Sequence, residues 1–155
     1  MTAAAIQIVR ILDDVPEGVE PLRREAAAEG YGFIDRLGEE VARGAYADNA
    51  DLPVMLAAFS EGGLAALGGL THDPYDPAPD LARIRHVYVR PAKRREGIGR
   101  MLTSALIQQG FALAGRLSLR AADARSAAFW DAQGFVRDDS SVTRTHLLAR
   151  NGSLS

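Results

Sequence analysis

One segment constrains this chain more than any other: a strand-like run, a proline, two closely spaced glycines among arginines, and then an uninterrupted amphipathic helix. Arg83 to Val89 reads as the strand, and Pro91 ends it. Arg94-Arg95-Glu96-Gly97-Ile98-Gly99-Arg100 forms the turn. Ile98 to Leu113 is the helix, with Ile98, Leu102, Ala105, Leu106 and Leu113 on one apolar stripe. Glycines let backbone approach a ligand closely and adopt dihedrals closed to other residues. Free amides at a helix start, with the helix dipole, favour an anion. With three arginines nearby, the segment has the makings of a pyrophosphate cradle. A P-loop would need lysine and then serine or threonine where Arg100-Met101 stands. A dinucleotide fingerprint would need a third glycine where Leu102 or Thr103 is found.

Around this segment the remaining elements follow from periodicity and punctuation. Gln7 to Leu12 is rich in branched apolar residues and reads as a first strand. Helices are expected over Glu17–Glu29, stopped by Gly30, and over Phe33–Arg43, where Phe33, Leu37 and Val41 share a face. Leu52 to Phe59 and Leu64 to Leu70 flank the turn Glu61-Gly62-Gly63 as a hairpin. Thr71 to Asp80 is a proline-rich loop. Leu117 to Ala121 is a strand, Ser126 to Gln133 a short helix stopped by Gly134, and Phe135–Arg137 and Val142–Leu148 the last two strands. Consecutive strands imply antiparallel hairpins, and the strand–helix–strand step from Arg83 to Ala121 implies one parallel pair. The expected architecture is α/β (α+β): a mixed, mostly antiparallel sheet of about seven strands, with helices on both faces, in a single domain over 1–155. Residues of about 1–5 and 150–155 are expected to be flexible.

Composition narrows the function classes. A net charge of −2 gives no reason to expect nucleic acid or an anionic membrane as partner. The chain has no cysteine, which excludes disulfides, a thiol nucleophile and cysteine-ligated metal; no metal site is expected. The start lacks the basic and apolar regions of a signal peptide and no run approaches a membrane span, so a cytoplasmic location is expected.

His86-Val-Tyr-Val-Arg-Pro-Ala-Lys-Arg-Arg-Glu-Gly-Ile-Gly-Arg100 resembles the central motif of the GNAT superfamily of N-acetyltransferases, R/Q-x-x-G-x-G/A, with Arg94, Gly97 and Gly99 at the motif positions. Asp123-Ala-Arg-Ser-Ala-Ala-Phe-Trp-Asp-Ala-Gln-Gly-Phe135 is similar to the later segment of that family, N-x-x-A-x-x-F/L-Y-x-x-x-G-F. The resemblance implies a sheet splayed between the fourth and fifth strands, with acetyl-CoA in the gap. It implies that main chain at Val87 and Val89 holds the pantetheine arm and acetyl carbonyl. The pyrophosphate would lie on Arg94, Arg95, Glu96, Gly97, Ile98, Gly99 and Arg100, and Asp123, Ser126, Phe129 and Trp130 would also line the cofactor. The chain departs from the pattern at Trp130, where many relatives carry a tyrosine acid. Indole donates a hydrogen bond but delivers no proton at neutral pH, so Trp130 is read as packing beside the cofactor. Asp123 and Ser126 replace the usual asparagine and alanine.

An amine acceptor must lose a proton before it attacks, and a base near neutrality suits that task. The histidines are His72, His86 and His146. His86 lies on the strand that would line the thioester, Tyr88 shares its face by alternation, and His146 lies on the last strand; these three are the catalytic candidates. Tyr31 and Phe33 fall where the family builds its acceptor pocket, and His72 opens a loop within reach of substrate. The residues themselves favour the core for Phe33 and a turn for His72. The expected activity is acetyl transfer to a primary amine of a small molecule or peptide by direct attack in a ternary complex. A different acyl-CoA donor, or a weak CoA-binding sensor or scaffold, is the alternative. The oligomeric state is left open, a homodimer included.

Overall fold

The computed structural model describes residues 5–47 and 51–150; the expected flexibility of the extreme ends falls mostly outside these residues. The elements are β1 (Ile6–Arg10), α1 (Val19–Ala28), a 3-10 turn (Phe33–Arg36), α2 (Leu37–Ala42), β2 (Val54–Ser60), β3 (Gly63–His72) and β4 (Leu81–Val89). A second 3-10 turn (Pro91–Lys93), α3 (Ile98–Leu113), β5 (Arg116–Leu119), α4 (Ala124–Ala132), β6 (Val136–Arg137) and β7 (His146–Ala149) complete the chain. The strands form one sheet in the order β1-β2-β3-β4-β5-β7-β6. Every neighbouring pair is antiparallel except β4 and β5.

Both faces of the sheet are covered, which is why β2 and β3 read as nearly continuous apolar runs. On one face α3 and α4 pack Ile98, Leu102, Leu106 and Trp130 against Leu56, Leu70, Ile84 and Leu117. On the other, α1 and α2 pack Leu22, Ala26, Leu37 and Val41 against Met55, Leu67 and Tyr88. The β2–β3 turn places Glu61 and Gly62 at φ 56° and 79°, the two left-handed positions of a tight hairpin whose twist matches the strands.

Several elements have other bounds than expected, β3 running on through Thr71 and His72 of the expected loop, and three of the differences have a local reason. The helix expected from Phe33 begins as a 3-10 turn, which directs Phe33 onto β4 while Leu37 and Val41 go to the core. The last strand is shorter than Val142–Leu148, because Asp138 binds the Ser140 amide at 3.0 Å and the Arg144 guanidinium at 2.8 Å, shaping a loop instead. The fifth strand stops at Leu119, after which the Ala121 amide bonds to Thr145 Oγ1 at 2.8 Å.

β4 carries the feature that positions the site. Leu67 pairs with Tyr88 and Gly69 with Arg85, so β4 has one residue more than β3 between these pairs. The bulge falls at His86, whose φ is 61°. Bulges re-aim side chains and tighten the twist. Below it, β4 pairs with β5 over Leu81–Arg83 and Arg116–Ser118. Beyond Arg83 the two strands part.

Candidate active site

The parted strands open a cleft of about 570 Å³, within the range of small-molecule sites. Its walls are main chain and side chains of Val87, Tyr88 and Val89, the loop from Arg94 to Arg100, the start and inner face of α4, and Glu29 and Tyr31 from α1 and the segment after it.

The glycine loop has the geometry its sequence implied. Gly97 caps α3 with φ 81°, and a Cβ there would meet nothing within 4 Å, so its side faces open space. Gly99 lies closer, 3.4 Å from Val89 Cγ2 for the same construction. Arg95 also has a left-handed φ, 71°. Non-glycine residues in that region concentrate at functional sites. Ile98 is buried in the core and Glu96 is exposed, and neither is part of the cleft wall.

Main chain along β4 can be assigned by alternation. The Arg90 amide donates to Ala65 O at 2.9 Å. In an antiparallel ladder the groups that face one neighbour recur every second residue, so Tyr88 addresses β3 while Val87 and Val89 address the cleft. Val89 O accordingly accepts a hydrogen bond from Arg94 Nε at 3.0 Å rather than from a strand.

Arg94 itself is not free to meet a phosphate. Its guanidinium binds both carboxylate oxygens of Glu29, at 2.7 and 3.2 Å, and lies 5.5 Å over the Tyr88 ring. The Tyr88 hydroxyl donates to the same carboxylate. Burial and then this bond to Glu29 push the Tyr88 hydroxyl above its usual pKa, while Arg94 first and Tyr88 second hold the Glu29 carboxyl below its own. The cations of the cleft without an ion-pair partner among the described residues are Arg95, Arg100 and Arg125. Sequence reading assigned no role to Glu29 or Arg125. Arg125 was visible at the start of a helix facing the loop, but no spacing marks Glu29.

The second motif is built as a cap. Asp123 Oδ1 accepts the Ser126 amide at 2.8 Å, and Ser126 Oγ accepts the Asp123 amide at 3.3 Å, a reciprocal capping box. This explains the pair that replaces asparagine and alanine. Trp130 is buried and meets Phe129 and Phe135 edge-on at 5.1 and 5.3 Å, so its indole is contact surface on the cleft wall.

The histidines separate. His86 is half-buried beside Val87, stacked on Phe33 at 4.6 Å and 18°. Burial, then Arg85 and Arg36, lower its pKa to about 4. Phe33 and His86 stand just outside the cleft wall that Tyr31 and Val87 form. His146 is not brought to this cleft. It is fully buried, with Nε2 2.9 Å from Asp131 Oδ1 and Nδ1 2.7 Å from Thr145 Oγ1, tying β7 to α4 beside a second depression. His72 is exposed and pairs with Ala82, at the far end of β4 from Val89.

Comparison with known proteins agrees with this geometry. A solved structure from Exiguobacterium sp. 255-15, assigned as an acetyltransferase, is 27% identical, with 96% of this chain and 95% of that chain covered and a TM-score of 0.82. An N-acetyltransferase from Thermoplasma acidophilum in complex with coenzyme A shares the fold at 17% identity, with 92% and 96% covered and a TM-score of 0.59. A spermidine N-acetyltransferase chimera from Vibrio cholerae does so at 16%, with 92% and 96% covered and a TM-score of 0.63. No curated protein sequence matches the chain. The acetyltransferase (GNAT) family model matches residues 19–135, most of the chain, and the protein belongs to that family of acetyltransferases.

Proposed function

We propose that the chain transfers the acetyl group of acetyl-CoA to a primary amine held at the Tyr31–Tyr88 end of the cleft, by direct attack in a ternary complex. The observation that carries this reading is the splay itself, which turns the Val87 and Val89 main chain towards the same cavity as the glycine loop. The residues present fit the cofactor: an open left-handed glycine at a helix start, exposed amides and three unpaired arginines suit a pyrophosphate. Unsatisfied strand edge at Val87 suits an extended amide-bearing arm added like a strand. Bound acetyl-CoA supplies the activated acyl group and a thiol as leaving group.

The chain's own groups then divide the remaining tasks. Val87 N–H, turned to the cleft, is placed to donate where negative charge develops on a carbonyl oxygen. With its pKa lowered to about 4, His86 is neutral at working pH and too weak a base to hold the ammonium proton, so it relays that proton through water to solvent. Tyr88 stays protonated beside Glu29 and keeps the wall neutral there. Trp130 excludes solvent, and water protonates the departing thiolate.

The test is calorimetry with acetyl-CoA alongside free-thiol release in the presence of an amine panel. Acetyl-CoA binding and amine-dependent thiol release are expected. Gly97→Asp, a residue that tolerates the left-handed region, is expected to weaken acetyl-CoA at least about tenfold by adding a carboxylate to an anion site. Unchanged affinity in this variant sinks the assignment, and binding without thiol release for any amine favours a CoA-binding scaffold.

A further inference from the structure

The charge around the acceptor end of the cleft is lopsided. Tyr31 and Val87 line the cleft, and Phe33 and His86 stack on each other just outside that lining. Two arginines flank that stack. Arg36 is three residues after Phe33 in the same 3-10 turn, and side chains at that spacing eclipse on one side. Arg85 precedes His86 on β4, and the bulge puts it on the same face as Tyr88, since their partners Gly69 and Leu67 share a face.

Neither arginine has a carboxylate within ion-pair distance among the described residues. Three acidic groups of the surrounding elements, Glu25, Glu29 and Asp35, are paired elsewhere. Glu25 pairs with Arg90, Glu29 with Arg94, and Asp35 with Arg23 at 2.8 Å. On α2, Glu40 faces the Tyr46 hydroxyl at 3.4 Å and Glu39 is exposed. Arg83 is buried and paired with Asp73 at 3.4 Å, so its charge is matched and that of Arg85 is not. His86 adds no charge of its own at neutral pH.

We propose that Arg36 and Arg85, the unmatched cations flanking the Phe33–His86 stack, select an acceptor that carries a carboxylate close to its reactive amine. This rests on the acetyl-transfer reading above and adds the charge of the substrate to it. A guanidinium presents a planar fork that matches a carboxylate in two hydrogen bonds. It repels a second ammonium, so the same pair disfavours a polyamine. The left-handed φ of His86 is the local conformation that turns Arg85 to this side.

The experiment uses one skeleton with three terminal charges: alanine, alaninamide and 1,2-diaminopropane. Thiol release is compared per concentration of neutral amine, and acetyl-CoA affinity is measured in parallel. Alanine is expected to exceed the other two in kcat/KM by about tenfold or more, the size of charge-assisted hydrogen bonding. Arg85→Gln is expected to raise KM for alanine about tenfold, leaving kcat, acetyl-CoA affinity and the KM for alaninamide within about threefold. Arg36→Gln, on the surface and safe for folding, is expected to act in the same direction. If acetyl-CoA binds and the amide or diamine is preferred, or both variants change all three amines equally, the charge selection is overturned while acetyl transfer stands. Loss of acetyl-CoA binding in the wild type, or absence of any thiol release, overturns both.

Discussion

The Arg94 guanidinium grips both oxygens of the Glu29 carboxylate, joining the end of α1 to the start of the glycine loop across 65 residues of sequence. Glu29→Gln removes the charge and keeps the shape. Both side chains are about one-third exposed, so the pair is worth about 1 kcal/mol at most after solvent screening. A fall in Tm of about 2–4 °C is expected for a chain of this size. Acetyl-CoA affinity should hold or improve, because Arg94 then adds its charge to the loop. Arg94→Gln should weaken acetyl-CoA less than Gly97→Asp does. Equal losses would show that Arg94 meets the phosphates directly.

His86 makes the stability of the fold depend on pH. Its pKa falls from 6.5 in the unfolded chain to about 4 in the fold. Between those values the unfolded chain binds the extra proton, so stability rises with pH there. The contribution is fully present above about pH 6.5 and lost as pH falls to about 4. His86→Asn suits the left-handed φ and removes the titration. The loss of Tm on going from pH 7 to pH 4.5 should be smaller in this variant than in the wild type. An equal loss in both proteins would assign the acid sensitivity to other groups.

A buried pair fixes the point where the sheet parts. Asp73 Oδ2 accepts from Ser118 Oγ at 2.7 Å and lies 3.4 Å from Arg83 Nη1, at the last pairing of β4 with β5. Both charged side chains are less than a tenth exposed. Asp73→Ala strands a buried guanidinium and should cost about 3–5 kcal/mol. Adding Arg83→Met should recover part of that loss. Urea midpoints of the wild type, the single variant and the double variant measure it, and no recovery in the double variant refutes the charge explanation.

Trp130 packs as contact surface, and its indole has no proton to deliver at neutral pH. Trp130→Tyr keeps an aromatic ring against Phe129 and Phe135 and introduces a hydroxyl. Its kcat should stay within about fivefold of wild type, because solvent already protonates a thiolate of ordinary pKa. Trp130→Ala should instead destabilise by about 3–5 kcal/mol through the lost ring. A rise in kcat of tenfold or more for Trp130→Tyr would show that the wild type lacks an acid it needs.

Much of the fold was legible because local signals agree with one another. Paired glycines at the head of α3, the stripe Ile98–Leu102–Leu106, and Gly134 after α4 each act within a few residues, where backbone freedom and helical period suffice. The order of elements, the single parallel pair and the left-handed glycine turn at the head of α3 followed from such signals. Tertiary structure decided which charges in the site remain available. Glu29 cancels Arg94 and Asp73 cancels Arg83, while Arg85 is left unmatched. The bulge at His86 turned Arg85 to the face of Tyr88, against simple alternation. Neither outcome has a local signature, because an ion pair depends on distance in space and a bulge on the register of two strands, and both are set only when the sheet assembles.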